Sequence, residues 1–190
     1  MNFRGTARTP LLTEKLFNGT DSEDVRSAIN HIRDCHPDEA KVQLIAVGLS
    51  FGGTVLTGYL ATEQERSRVD AAMLISVCWD YVRGASNLEA SWLNRSVNRA
   101  LKDLLVRLVM RHWSTFYGKD PKYDIELVRR AESCRQFDSA FTSQMFSDRF
   151  RSAEEYYEKA SYWHRVCQLR GTPILCLQAS DDIIAPERGK

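Results

Sequence analysis

The stretch that most restricts what this chain can fold into is a junction. Val42 to Val47 (VQLIAV) is a short apolar run with the length and β-branching of a strand buried in a parallel sheet. It ends at Gly48, and the chain then passes through Leu49-Ser50-Phe51-Gly52-Gly53 into Thr54 to Glu63, which reads as helix. A strand that gives way to a helix within a few residues is the start of a crossover, the connection a parallel sheet requires. Two more apolar runs read as strands, Ala71 to Val77 (AAMLISV) and Pro173 to Gln178 (PILCLQ). Helices fill the intervals. Thr20-Asp21-Ser22-Glu23 offers an N-cap and acidic first turn, and Val25, Ile29 and Ile32 form a stripe running to about Cys35. His36-Pro37-Asp38-Glu39 breaks that helix. A long helical region is expected from about Ala90 to Tyr117, broken by Gly118 and Pro121, with shorter helices over Tyr123 to His164. Asn2 to Leu12 reads as loop. The order is that of an α/β protein, and 190 residues suit one domain.

Composition narrows the partners. Hydrophobic residues at 43% and charged residues at 27% are ordinary for a globular chain, and a net charge of +1 gives no reason to expect a nucleic acid or an acidic substrate. The densest basic patch, Arg95 to Arg111, alternates Arg and Lys with Leu and Val at helical spacing. It reads as a helix with one wet face, with a basic membrane-surface helix as the alternative. Five cysteines without a C-x-x-C pair favour a reducing compartment, with Cys78 and Cys176 expected as buried thiols inside apolar runs. No apolar stretch reaches the roughly 18 to 20 residues of a membrane span.

Gly48-Leu49-Ser50-Phe51-Gly52 matches G-x-S-x-G, and its context is the strand-turn-helix that the motif needs. In such a turn the serine hydroxyl is pushed clear of the sheet, and side chains at Gly48 and Gly52 are expected to collide with neighbouring backbone. The next helix aims its N-terminal dipole at the site, so the Phe51 backbone N–H is the expected oxyanion donor. A serine nucleophile needs a base and the base an orienting acid, in the order Ser, acid, His for α/β-hydrolases. Asp181-Asp182, just past the PILCLQ run, fits the acid. Asp182 is favoured because Asp182-Ile183-Ile184-Ala185-Pro186 looks like the usual acid loop; the alternative exchanges its role with Asp181. The four histidines, His31, His36, His112 and His164, all precede Asp182, and none is expected to act as the base.

Around these anchors the chain resembles the AB hydrolase 4 family of lipid esterases and phospholipases, over nearly all 190 residues. Asn2-Phe3-Arg4-Gly5 looks like its N-x-R-G turn, Gly48 to Gly53 like its G-x-S-x-G-G elbow, and Tyr59-Leu60 like part of the helix behind it. Phe137-Asp138, Phe141-Thr142, Tyr156-Tyr157 and Ala160-Ser161 are similar to its "FD…FT…YY…AS" segment. The resemblance implies a partial α/β-hydrolase fold of about three parallel central strands, with a lid-like helical insertion over about 81–164. It implies hydrolysis of lipid or short acyl esters, Ser50 as nucleophile, Asp182 as acid, no metal and no organic cofactor. The family's first strands, second oxyanion donor, final histidine and membrane anchor have no counterpart in this sequence. The polypeptide as written is therefore expected to be a partial form with little activity, its full-length parent possibly membrane-associated; the alternative is a truncated, inactive isoform that at most binds lipid or a partner. Oligomeric state, compartment and acyl preference stay open. Trp79, Trp92, Trp113, Trp163, Phe116, Tyr117 and Phe146 are candidates for an acyl pocket, with ordinary packing the favoured role for most of them.

Overall fold

The computed structural model describes residues 1–38, 42–116 and 123–185. Glu39 of the predicted breaker, Tyr117, Gly118, Pro121 and Pro186 lie outside them. The chain divides into two units, one of Met1, Gly19–Tyr81 and Ala160–Lys190, the other of Asn2–Asn18 and Val82–Lys159.

The first unit holds the sheet. Helix α1 spans Glu23–Cys35, strand β1 Ile45–Leu49, helix α2 Phe51–Glu63, and strand β2 Ala71–Ile75; after the second unit's residues the chain returns as strand β3, Ile174–Leu177. The order is β1-β2-β3 and both pairings are parallel, with Val47 opposite Met73 and Met73 opposite Leu175. The alternation of side chains puts Ala46, Ala72, Leu74 and Ile174 on one face, where they pack with Ile29, Leu56, Tyr59, Leu60 and Val77. Among the described residues the opposite face is largely open. Val47 is 61% exposed, and Ile45, Leu49, Leu175 and Leu177 stand in the open beside it. The VQLIAV run thus forms a shorter strand than its sequence predicts, starting at Ile45, and is covered on one side only among the described residues.

Two further expectations are corrected here. Ile32, assigned to the α1 core stripe, is exposed, and Arg33 is buried in its place. Arg33 donates to the carbonyls of Arg68 and Val42 (both 2.8 Å) and to Asp70 Oδ2 (2.7 Å), which compensates the buried guanidinium. Asp70 also accepts the Leu44 N–H (2.6 Å), and that bond, then Arg33, holds its carboxyl below the usual range. Cys176 is exposed rather than buried, because β3 is an edge strand; Cys78 is partly buried.

The second unit is helical and aromatic. Helices α3 (Tyr81–Ala90), α4 (Trp92–Arg111), α5 (Trp113–Phe116), α6 (Ile125–Arg130) and α7 (Cys134–Phe137) are followed by a π-helical turn at Asp138–Thr142, then α8 (Ser143–Met145) and α9 (Ala153–Ala160). The long helix expected from Ala90 starts afresh at Trp92, because the Ser91 hydroxyl accepts the Asn94 N–H and caps it. Phe116, Phe137, Phe141, Phe146, Phe150, Tyr156 and Tyr157 make the core, with Phe116 set edge-on to Phe141 at 5.1 Å. Phe116 and Phe146 therefore pack rather than line a pocket, whereas Trp92 packs little and is exposed. The N-terminal loop belongs to this unit. Gly5 adopts φ 77°, which brings its carbonyl to His112 Nε2 at 2.7 Å, and an added Cβ there would meet Leu16 at 3.0 Å. The Leu16 N–H points at the Met145 sulfur (3.1 Å).

Candidate active site

Parallel strands end on one edge, so the residues just past their carboxyl ends share that edge. Ser50 follows the last residue of β1, Cys78 stands three residues past β2, and Asp182 five past β3. Backbone bonds tie the three ends together: the Ser50 N–H reaches the Ile75 carbonyl (2.8 Å), and the Ser76 N–H reaches the Leu177 carbonyl (2.9 Å).

Ser50 sits at φ 51°, ψ −121°, a backbone state that costs a non-glycine residue roughly 1–3 kcal/mol. Its carbonyl accepts the N–H groups of Gly53 (2.9 Å) and Thr54 (3.2 Å) and so starts α2, but its hydroxyl caps nothing. A serine at a helix start normally spends its hydroxyl on that cap. Here the left-handed φ turns the side chain away, and Ser50 is exposed. The first amide of α2 is that of Phe51, at the positive end of a 13-residue helix.

The two outer glycines of the motif differ. A Cβ on Gly48 would lie 2.6 Å from Gly53 Cα and 2.9 Å from its nitrogen, so β1 and α2 touch at that point. A Cβ on Gly52 would meet nothing within 4 Å, contrary to the collision expected from the sequence. The second tight position is Gly53, where a Cβ would fall 2.2 Å from a Val77 methyl and 3.1 Å from the Gly48 carbonyl. The turn closes between Gly48 and Gly53, and Gly52 points outward from that contact.

Asp182 lies in a tight loop that its own carboxylate organises. One oxygen, Oδ1, accepts the N–H groups of both Ile184 and Ala185 (2.9 Å each), leaving Oδ2 outside these bonds. Gln178 Nε2 donates to the Ala185 carbonyl (2.8 Å) and ties the loop back to the end of β3. Asp181 is exposed and takes no part in these bonds. The Cys78 thiol, pushed up to about 12 first by burial and then by the charges of Asp80 and Asp182, stays a neutral thiol. Two features here gave no signal in the sequence. Ser76 also takes a left-handed φ (50°), and Tyr81 donates its hydroxyl to the buried Thr54 hydroxyl (3.2 Å) one turn into α2.

The histidines are engaged elsewhere. His31 Nε2 faces Cys35 Sγ at 3.8 Å on α1, His36 terminates that helix, His112 is bonded to Gly5, and His164 lies edge-on to the Trp163 ring at 5.5 Å.

With the Ser50 turn and the Asp182 loop on the same sheet edge, comparison with known proteins becomes informative. The family model described as serine aminopeptidase, S33, an α/β-hydrolase family, matches residues 19–190. The chain belongs to this family. It is 31% identical over 186 residues to a monoacylglycerol lipase of Saccharomyces cerevisiae, covering 96% of this chain and 40% of the yeast protein. It is 33% identical over 187 residues to Phospholipase ABHD3 of Bos taurus, covering 97% of this chain and 43% of that protein. A medium-chain fatty acid ethyl ester synthase/esterase of S. cerevisiae is 29% identical over 209 residues, covering 99% and 45%. The chain thus spans less than half the length of these curated relatives. No solved structure matches it. The three parallel strands with their flanking helices fit a partial α/β-hydrolase fold.

Proposed function

We propose that this chain carries the nucleophile and acid of a serine hydrolase acting on carboxylic esters of lipids or short acyl groups. The observation that carries the reading is the backbone of Ser50, held in a left-handed conformation that frees its hydroxyl at the mouth of a helix. In this scheme Ser50 Oγ attacks the ester carbonyl carbon as its proton passes to a histidine base. The Phe51 N–H donates to the carbonyl oxygen as it becomes an oxyanion. The tetrahedral intermediate collapses, the C–O bond to the alcohol breaks, and the base returns its proton to the leaving alkoxide. Water then releases the acyl group from Ser50 by the same steps in reverse order. Asp182 Oδ2 orients the base, and its loop bonds fix its direction in advance. The helical insertion over about 81–164 acts as a lid. The substrate class is supported by relatives named as monoacylglycerol lipase, phospholipase and ester synthase/esterase.

A second reading is favoured by the engagement of all four histidines: the chain is catalytically inactive and at most binds lipid or a partner. The two are separated by labelling with a fluorophosphonate probe. A product that includes residues beyond Lys190 is expected to label at Ser50 and to lose its esterase activity on Ser50→Ala, by on the order of 10³-fold or more. The 190-residue polypeptide is expected to label far more slowly. Unchanged hydrolysis in the Ser50→Ala protein disproves the assignment of the nucleophile.

A further inference from the structure

We infer, on the footing that Ser50 is the nucleophile, that Tyr81 is its positioning residue: it joins the points where the chain leaves and re-enters the sheet unit to the first turn of α2. The chain leaves that unit after Tyr81 and returns at Ala160, so residues 79–81 and 161–163 are outgoing and returning stems, both within the unit. Two bonds pair them. The Trp163 N–H donates to the Trp79 carbonyl (3.0 Å), and the Tyr81 N–H donates to the Ser161 hydroxyl (2.9 Å). One stem counts up as the other counts down, the order of antiparallel neighbours. Ser161 is buried, so the bond it accepts is shielded from water.

Tyr81 also reaches α2. Its phenol donates to the hydroxyl of Thr54 (3.2 Å), a fully buried residue one turn after Ser50. The other threonines of α2 behave differently: Thr57 and Thr62 donate their hydroxyls to carbonyls four residues back in their own helix, those of Gly53 and Gly58 (2.8 and 2.9 Å). For Thr54 the carbonyl four residues back is that of Ser50, and its hydroxyl is engaged by Tyr81 instead. The Thr54 N–H is one of the two that the Ser50 carbonyl accepts, and at 3.2 Å the longer. Ser50 needs support of this kind, because its left-handed φ persists only where surrounding bonds over-determine it. Movement of either stem is therefore felt at Ser50 through the bonds Ser161–Tyr81, Tyr81–Thr54 and Thr54–Ser50 in turn.

The test has two arms. In the 190-residue chain, amide hydrogen exchange of residues 51–55 is expected to run about three- to tenfold faster in Tyr81→Phe, which removes the phenol hydroxyl and keeps the ring, and in Thr54→Val. The two substitutions together are expected to do no more than either alone, since both break one bond. In a product that includes residues beyond Lys190, Tyr81→Phe is expected to slow fluorophosphonate labelling of Ser50, and to lower kcat for ester hydrolysis, by about the same three- to tenfold factor with KM unchanged. Tyr162→Phe, which removes a phenol hydroxyl lying against Gly58 farther along α2, is the control and leaves both readouts unchanged. A lower urea midpoint in Tyr81→Phe with unaltered labelling rate and kcat shows a role in stability alone and overturns the proposal. Unchanged exchange in Tyr81→Phe, or additive effects of Tyr81→Phe and Thr54→Val, overturns it as well. Failure of the unsubstituted product to label at Ser50 is a separate outcome: it overturns the reading of Ser50 as nucleophile, and the positioning role falls with it even where the exchange pattern holds.

Discussion

The two units achieve order by opposite means. The sheet unit has an aliphatic core, and its distinctive geometry resides in the backbone: Ser50 and Ser76 at left-handed φ, and a glycine pair pressed against each other across the turn. The helical unit sets one long helix, α4, among short ones. Its order comes from rings packed on rings around a buried polar group, in which Asp138 accepts the hydroxyls of Thr142 (2.6 Å) and Tyr157 (2.7 Å). Burial pushes the Asp138 carboxyl up to about 6, against the lowering effect of both hydroxyls. The contrast teaches where each unit is brittle. In the first, space for a single carbon atom decides; in the second, side-chain volume and protonation do.

The largest effect is expected at Gly48. Gly48→Ala sets a methyl against backbone atoms that cannot yield, and a loss on the order of 4 kcal/mol in urea unfolding is expected, with no rescue from any neighbouring truncation. Gly53→Ala presses mainly on the Val77 side chain, so adding Val77→Ala is expected to recover part of its loss. If both glycines behave alike, the backbone account of the elbow fails.

The counterpart in the helical unit is Phe141, which touches Phe116, Tyr123 and Phe137. Phe141→Ala is expected to cost about 3–5 kcal/mol and Phe141→Leu much less, since volume rather than backbone space is at stake. Equal losses for the two substitutions break the comparison.

Protonation sharpens it further. The folded-state value of Asp138 lies above the ordinary carboxylate range, so its contribution to stability is complete at acid pH and is lost as pH rises through about 6. The span is about 3 kcal/mol at most. Asp70 in the sheet unit is held low, so its contribution is present above the ordinary carboxylate range and is lost as pH falls. Asp138→Asn is expected to remove a downward slope of stability between pH 4 and 6, and Asp70→Asn an upward one at lower pH. Unfolding midpoints measured across pH for both variants check the two signs; matching signs contradict the assignment.

The smallest effect is expected on the open side of the sheet. Leu177→Ser is expected to change stability by no more than about 0.5 kcal/mol, because the side chain is already in water. A loss of 2 kcal/mol or more in the same measurement shows that this face is covered in solution.

Much of this was readable in residue order. The strand-turn-helix at Ser50, the α/β class and a tight loop after β3 all follow from local periodicity and from short motifs. Asp182, and not Asp181, organises this loop, because its double acceptance from Ile184 and Ala185 is a contact within three residues. Other features were hidden because they depend on distant partners. Arg33 is buried by residues nine to thirty-seven positions away, and nothing in α1 itself marks it over Ile32. Leu93 and Leu104 fall at helical spacing on α4, which does not show that they stand exposed while Val109 meets the core.

The sequence by itself determined that a serine would stand at a strand-helix junction, since glycines placed between a short β-branched run and a helical one leave the backbone few alternatives. Only the tertiary structure decided which glycine closes the turn. Gly52 and Gly53 are alike as letters, and the difference between them is the Val77 methyl, brought from the end of another strand to within 2.2 Å of where a side chain would begin.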